Sequence, residues 1–167
     1  MNVFLPADIL IPDVESMEKW SVIACDQFSS QPEYWKDVKE TVGDAPSSLH
    51  LIFPEAELEE VDENEKIKTI NWNMQSYLEQ GIFQKYEKSY VYVERTLKNG
   101  SIRRGLVGMI DLEAYDYSEN SSSRIRATEK TVTCRIPPRV RIREDAPVEL
   151  PHVLLLCDDR SDGLMEW

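Results

Sequence analysis

Cysteine and histidine are scarce in this sequence. Three cysteines, Cys25, Cys134 and Cys157, and two histidines, His50 and His152, are scattered over 167 residues, with no C-x-x-C pair and no Cys/His metal-ligand spacing. An odd, widely spaced set of thiols does not make a disulfide framework, and two histidines do not complete a structural zinc site. The cysteines read as buried reduced thiols, with no metal expected. No apolar run approaches the roughly 20 residues needed to cross a bilayer. The first residues, Met1 to Pro6, lack the basic and apolar regions of a secretory leader, which gives the expectation of a cytoplasmic protein without a membrane partner. G-x-G-x-x-G, the phosphate-binding P-loop, G-x-S-x-G and H-E-x-x-H are also missing. The strongest motif arguments for an enzyme are thereby removed, which leaves enzymatic activity and any cofactor open.

What the chain does have is acid. Charged residues make up 30% and the net charge is −12, so the long-range field repels phosphates and argues against nucleic-acid or membrane-surface binding. With 41% hydrophobic residues, the length suits one domain with a real core, read here as residues 1–157 with a tail at 158–167. One stretch breaks the acidic pattern. From Arg124 to Arg143 seven cations, six of them arginine, stand against Glu129 alone, a local charge of +6. Guanidinium groups bind phosphate or carboxylate through two parallel hydrogen bonds, and Thr128 and Thr131 add hydroxyl donors, so the stretch reads as an anion site. The competing reading is a set of structural salt bridges to the chain's many carboxylates. Nucleic acid is disfavoured again, because no aromatics are interleaved with the arginines.

Hydrophobic patterning places the elements. Ala7 to Ile11, between two prolines, reads as an edge strand, and Trp20 to Cys25 as a buried strand. Ser30 and Pro32 open a helix that stops at Gly43. Ser48 to Phe53 reads as a second strand, ended by Pro54. Asp62 caps a longer helix with Glu65 three residues on; Ile67, Ile70, Met74, Tyr77 and Leu78 form its apolar face and Gly81 ends it. Ser89 to Leu97 and Ile102 to Leu112 form a β-hairpin about Asn99-Gly100, a type I′ signal, with Gly105 and Gly108 marking a bulge or a close backbone approach. Tyr115 to Ser123 loops out, and Pro151 to Cys157 reads as an apolar final strand. The irregular alternation predicts an α+β (mixed α/β) fold: a mixed sheet with a central β-hairpin and two or three packed helices.

Two further residues are candidates on position alone. Asp26 follows the strand expected to end at Cys25, a common site for functional carboxylates, although a turn aspartate reads the same way. His50 alternates with Leu49 and Leu51, which suits a hydrogen-bonded core histidine as well as a catalytic one. Trp20, Trp35 and Trp72 read as core or interface residues.

Several runs together resemble a known family. They are Arg103-Arg104-Gly105-Leu106-Val107-Gly108, Asp111-Leu112-Glu113 with Tyr115-Asp116, Ile125-Arg126-Ala127-Thr128-Glu129-Lys130-Thr131, and Arg135-Ile136-Pro137-Pro138-Arg139. Arg143-Glu144-Asp145-Ala146-Pro147, Glu149-Leu150-Pro151-His152, Ala24-Cys25-Asp26-Gln27 and Pro32-Glu33-Tyr34-Trp35 continue the likeness. The chain resembles the domain of unknown function family 1015 over nearly its whole length. The resemblance implies the N-terminal part of a longer protein. Relatives are more than twice as long, and their second half carries an Asp-Gly-Asn/His-His type motif, reminiscent of the partition-protein and free-serine-kinase superfamily and absent here.

The reading that follows is the N-terminal domain of a phosphoryl-transfer or phosphometabolite-binding enzyme. Its partner would be a phosphorylated small molecule or a nucleotide. Arg124, Arg126, Lys130, Arg135 and Arg139 belong to the anion site, and Thr128 donates a hydrogen bond to the anion. Glu129 orients an arginine or acts as a base, with Asp26 and His50 as secondary catalytic candidates. The alternative is a non-catalytic regulatory or interaction domain, whose basic segment docks an acidic partner or the missing C-terminal half, or which self-associates through an exposed apolar surface.

Overall fold

A computed structural model describes residues 3–58, 60–116, 118, 121–126, 133, 136–150 and 153–157. The architecture is α+β, as the patterning predicts. Among the described residues the strands form three two-stranded antiparallel ribbons rather than one continuous sheet. β1 (Phe4–Leu5) pairs with β6 (Met109–Ile110), β2 (Ala7–Pro12) with β3 (Phe83–Ser89), and β4 (Val91–Thr96) with β5 (Ile102–Val107).

β2 is the edge strand expected between its prolines, and its partner β3 lies outside the strands that the patterning predicts. The two strands slip by one residue: Ala7 faces Ser89 and Ile9 faces Tyr86, so β3 carries an extra residue. Lys88 there takes φ 46°, and Asp8 Oδ1 accepts its amide at 3.2 Å. That hydrogen bond, followed by the Lys85 ammonium, holds the Asp8 carboxyl below the usual aspartate range.

The ribbons meet at Gly108. A Cβ placed there would lie 2.7 Å from the Leu5 carbonyl oxygen, 2.8 Å from Phe4 Cζ and 3.0 Å from Tyr90 Cδ1, and Phe4 stacks on Tyr90 across the same junction. The close approach expected of this glycine is therefore present. The other glycine, Gly105, has open space instead. The hairpin turn also differs from expectation. Gly100 N–H donates to the Leu97 carbonyl and Leu97 N–H to the Ser101 carbonyl, with φ +83° at Gly100 and no positive φ at Asn99. This is a three-residue loop closed by a left-handed glycine, not a two-residue type I′ turn.

Four α-helices are seen among the described residues: α1 (Met17–Trp20), α2 (Pro32–Val42), α3 (Glu63–Glu79) and α4 (Ile136–Glu144). α3 follows its sequence signals closely. Asp62 Oδ1 accepts the Glu65 amide at 2.9 Å, Ile70, Met74 and Tyr77 are buried, and Gly81 follows at φ +70°. α2 ends at Gly43 as predicted, but its N-cap is Gln31, with no side-chain cap, and not Ser30.

Among the described residues three expected strands do not form. Over Trp20–Cys25, Ser16 Oγ accepts the Lys19 amide to start α1, and the Trp20 carbonyl accepts the Ser48 hydroxyl at 2.7 Å, so side chains take the place of ladder partners. Ser48–Leu51 is a 3-10 turn begun by Ser47, whose Oγ accepts the Leu49 amide at 3.2 Å. Its apolar alternation serves two cores. Leu49 joins Trp35 and Val42 under α2, while Leu51 and Phe53 join Ile70, Met74 and Tyr77 under α3. Val153–Cys157 has no regular structure and is exposed. Residues 151–152 and the expected tail at 158–167 lie outside the described residues.

A buried ion pair ties the helices together. Glu57, 5% exposed in a second 3-10 turn (Glu55–Glu57), meets Lys39 of α2 at 2.7 Å and Lys66 of α3 at 3.1 Å. Burial alone would raise its carboxyl pKa. Hydrogen bonds from Lys39 and Lys66, with their charges, outweigh that and hold it below the usual range.

The junction generates a contrast. Gly108→Ala forces a carbonyl and two rings to move and lowers stability by about 1–3 kcal/mol. Gly105→Ala leaves stability unchanged or raises it by up to about 1 kcal/mol, because a strand glycine gains order in becoming alanine. Urea unfolding of the two variants checks this, and equal effects would contradict a junction at Gly108.

Candidate anion site

Asp26 is carried by a loop held from three sides. Trp35 Nε1 donates to the Gln27 carbonyl at 3.3 Å, the Glu55 amide donates to the Cys25 carbonyl at 2.8 Å, and Phe28 stacks on Tyr34 at 4.2 Å. Phe28 takes φ 52°, a conformation that costs a bulky residue energy and persists here under the stacking ring. Gln27 Nε2 donates to Asp26 Oδ1 at 3.3 Å.

Against this loop lies α4. Arg139 reaches Glu55 Oε1 at 3.1 Å and Asp26 Oδ2 at 3.7 Å. Two candidates read separately from sequence, Asp26 and Arg139, are thus brought together, and Glu55 completes the cluster. Cys25 lies beside it. Burial pushes its thiol up, Asp26 pushes it further, and Arg139 opposes them, so the group is a neutral thiol rather than a reactive thiolate. Among the described residues no three metal-ligating side chains converge.

The other α4 arginines diverge. Arg141 pairs with Glu63 at 2.9 Å and touches the Asn64 side-chain oxygen, and Arg143 pairs with Glu149 at 3.2 Å. Ile142 between them packs into the α3 core. α4 is therefore pinned to the body by its own cations, as the salt-bridge reading of the stretch expects.

Upstream the pattern changes. Ser123 Oγ donates to the Ala114 carbonyl at 2.6 Å, and Ile125 bridges Tyr115, which holds Arg124 and Arg126 at the surface. Arg126 Nε donates to the Ser123 carbonyl at 3.2 Å. Neither arginine meets a carboxylate among the described residues. Eight arginines are described. Arg104, Arg139, Arg141 and Arg143 are matched by carboxylates; Arg95, Arg103, Arg124 and Arg126 are not. Thr128, Glu129, Lys130 and Arg135 lie outside the described residues.

His50 belongs to a different network. Its Nδ1 lies 2.7 Å from the Tyr77 hydroxyl, which accepts the Ser47 amide at 3.1 Å. The hydroxyl hydrogen has no other acceptor among the described residues, which assigns Nδ1 as acceptor and places the ring proton on Nε2. Burial, then the charge of Lys66, pushes the imidazole below its usual value, against a weaker opposing effect of Asp44.

These features define a class: an acidic α+β domain that fastens a basic helix with carboxylates and leaves a second set of arginines open. A family model described as "Protein of unknown function (DUF1015)" matches residues 9–167, and the chain belongs to that family. No curated protein and no solved structure matches it. Among the described residues no helix is long and apolar enough to cross a membrane.

The His50 network predicts a pH effect. With the folded-state value below the unfolded one of about 6.5, the unfolded chain takes the proton first. Stability from neutral His50 is complete above that value and is lost as pH falls through the folded one. The urea midpoint therefore drops between pH 7.5 and 5.5, and the drop is smaller in His50→Asn. An identical drop in both proteins would remove His50 from the account.

Proposed function

We propose that this chain is an anion-recognising domain that takes a phosphorylated small molecule or nucleotide through Arg124 and Arg126. The observation that supports this reading is the division within the basic stretch. Arg139, Arg141 and Arg143 are neutralised by carboxylates, while Arg124 and Arg126 are exposed without one. In a chain of net charge −12, binding a phosphate needs local guanidinium groups that overcome the long-range repulsion. In this proposal Thr128, Lys130 and Arg135 extend the site, and Glu129 orients an arginine or serves as base if phosphoryl transfer follows. Arg139 and Asp26 hold α4 in place, and His50 remains a neutral partner of Tyr77.

Thermal unfolding in phosphate, ADP or ATP, against chloride at equal ionic strength, tests the proposal. The wild type is stabilised, by about 2.7 kcal/mol at a ligand concentration one hundred times Kd. The Arg124→Gln/Arg126→Gln double variant keeps its fold and loses the stabilisation by ADP and ATP. Absence of stabilisation by ADP and ATP in the wild type, or its undiminished survival in the double variant, overturns the reading.

One observation favours a second reading, a docking domain. Val153, Leu154 and Leu156 are 80%, 85% and 84% exposed, a contiguous apolar run that water does not favour. On this reading the chain self-associates through the run. Sedimentation then shows a concentration-dependent dimer that Leu154→Asp/Leu156→Asp abolishes, and a monomer at every concentration contradicts it.

A further inference from the structure

The β4–β5 hairpin treats its two faces differently. Residues directly opposite in an antiparallel pair have Cβ atoms about 4.5–5.5 Å apart and share a face. On one face Glu94 lies opposite Arg104, Glu94 Oε2 meets Arg104 Nε at 3.2 Å, and the Tyr92 hydroxyl donates to the same oxygen at 3.0 Å. Charge on that face is matched. On the other face Arg95 lies directly opposite Arg103. Both are exposed, and neither has a carboxylate, hydrogen-bond or ring partner among the described residues.

Like charges set directly opposite each other destabilise a ribbon. The next pair along the same face is Val93 opposite Gly105. A Cβ added at Gly105 would meet nothing within 4 Å, so the backbone beside the two guanidinium groups is open from above. Two guanidinium groups, each with paired N–H donors, are thus carried at directly opposite positions of neighbouring strands, next to an uncharged pair in which Gly105 adds no side chain.

We infer that Arg95 and Arg103 form a clamp for one phosphate group, the phosphate monoester of a small molecule, seated between the two guanidinium groups over Gly105. The charge of +2 matches a phosphate dianion and exceeds that of a single carboxylate. Each guanidinium offers two donors to the phosphate oxygens. Binding removes the repulsion that the empty ribbon carries, so the clamp favours the occupied state. The site is separate from Arg124 and Arg126 in sequence and uses none of their side chains.

The test is a titration of the whole ¹⁵N-labelled chain with inorganic phosphate, chloride holding the ionic strength constant, followed residue by residue by NMR. The expected result is a saturable shift of the Arg95, Arg103 and Gly105 signals, with acetate weaker. Arg95→Gln and Arg103→Gln each weaken it by about tenfold or more. Arg104→Gln and Arg124→Gln/Arg126→Gln leave it unchanged, so failure here and failure of the proposed function are distinguishable. Without phosphate, the glutamine variants keep the cross-strand contacts and the thermal midpoint, because they remove a repulsion. Should either disturb the hairpin, Arg95→Lys/Arg103→Lys retains the charge and still weakens binding several-fold through loss of the planar forks. No saturable shift at these residues, equal affinity in the glutamine variants, or equal affinity in the double lysine variant overturns the inference.

Discussion

The structure depends on a buried segment built from two short 3-10 turns rather than from an α-helix or a strand. Residues 47–57 run between α2 and α3, and a buried backbone of this kind must find partners for its polar groups one at a time. The Tyr77 hydroxyl accepts the Ser47 amide, Asn73 Nδ2 donates to the His50 carbonyl at 3.0 Å, and the Ser47 hydroxyl accepts the Leu49 amide. With those groups satisfied, Leu49 can face one cluster and Leu51 and Phe53 the other. The segment then delivers Glu57 to Lys39 and Lys66, and Glu55 to the Cys25 carbonyl and Arg139. The loop carrying Asp26 and the helix carrying Arg139 are therefore both positioned from this one stretch of chain.

From that arrangement follows a division among the arginines. In helix α4 Arg139 and Arg143 share a face one turn (about 6 Å) apart, and Arg141 points to the other side. Arg139, Arg141 and Arg143 consequently reach three different parts of the body, and each finds acid there. Pairs of this partly exposed kind contribute modestly, about 1 kcal/mol or less apiece, but together they set the orientation of the helix. Arg95, Arg103, Arg124 and Arg126 lie on a ribbon and a surface turn that no acidic element covers among the described residues. An acidic chain can thus present basic groups where its own carboxylates do not reach.

The parts of this organisation that local chemistry dictates were legible in the sequence. The cap at Asp62, the buried face of α3, the stop at Gly43, the edge strand before Pro12 and the hairpin about Gly100 each rest on residues within a few positions of one another. The strands read over Trp20–Cys25 and Ser48–Phe53 failed because their apolar alternation was produced by packing against two clusters and by serine hydroxyls standing in for ladder partners. β3 escaped notice because its partner is more than seventy residues away in the chain. The hairpin shows how narrow the margin is. A two-residue turn at Asn99-Gly100 would set Arg95 against Arg104, whereas the observed three-residue loop sets it against Arg103 and gives Arg104 to Glu94. The arginine bias of the basic stretch was visible, but which arginines are matched depends on Glu55, Glu63 and Glu149, which only the fold brings near.

The central claim is that the described arginines fall into a set that holds the fold and a set that does not. Thermal midpoints of single Arg→Gln variants, measured in buffer free of phosphate and other multivalent anions, test it most directly. Arg139→Gln, Arg141→Gln and Arg143→Gln each lower the midpoint by about 1–3 °C, while Arg95→Gln, Arg103→Gln, Arg124→Gln and Arg126→Gln leave it unchanged or raise it. A loss of the same size in both sets would contradict the account.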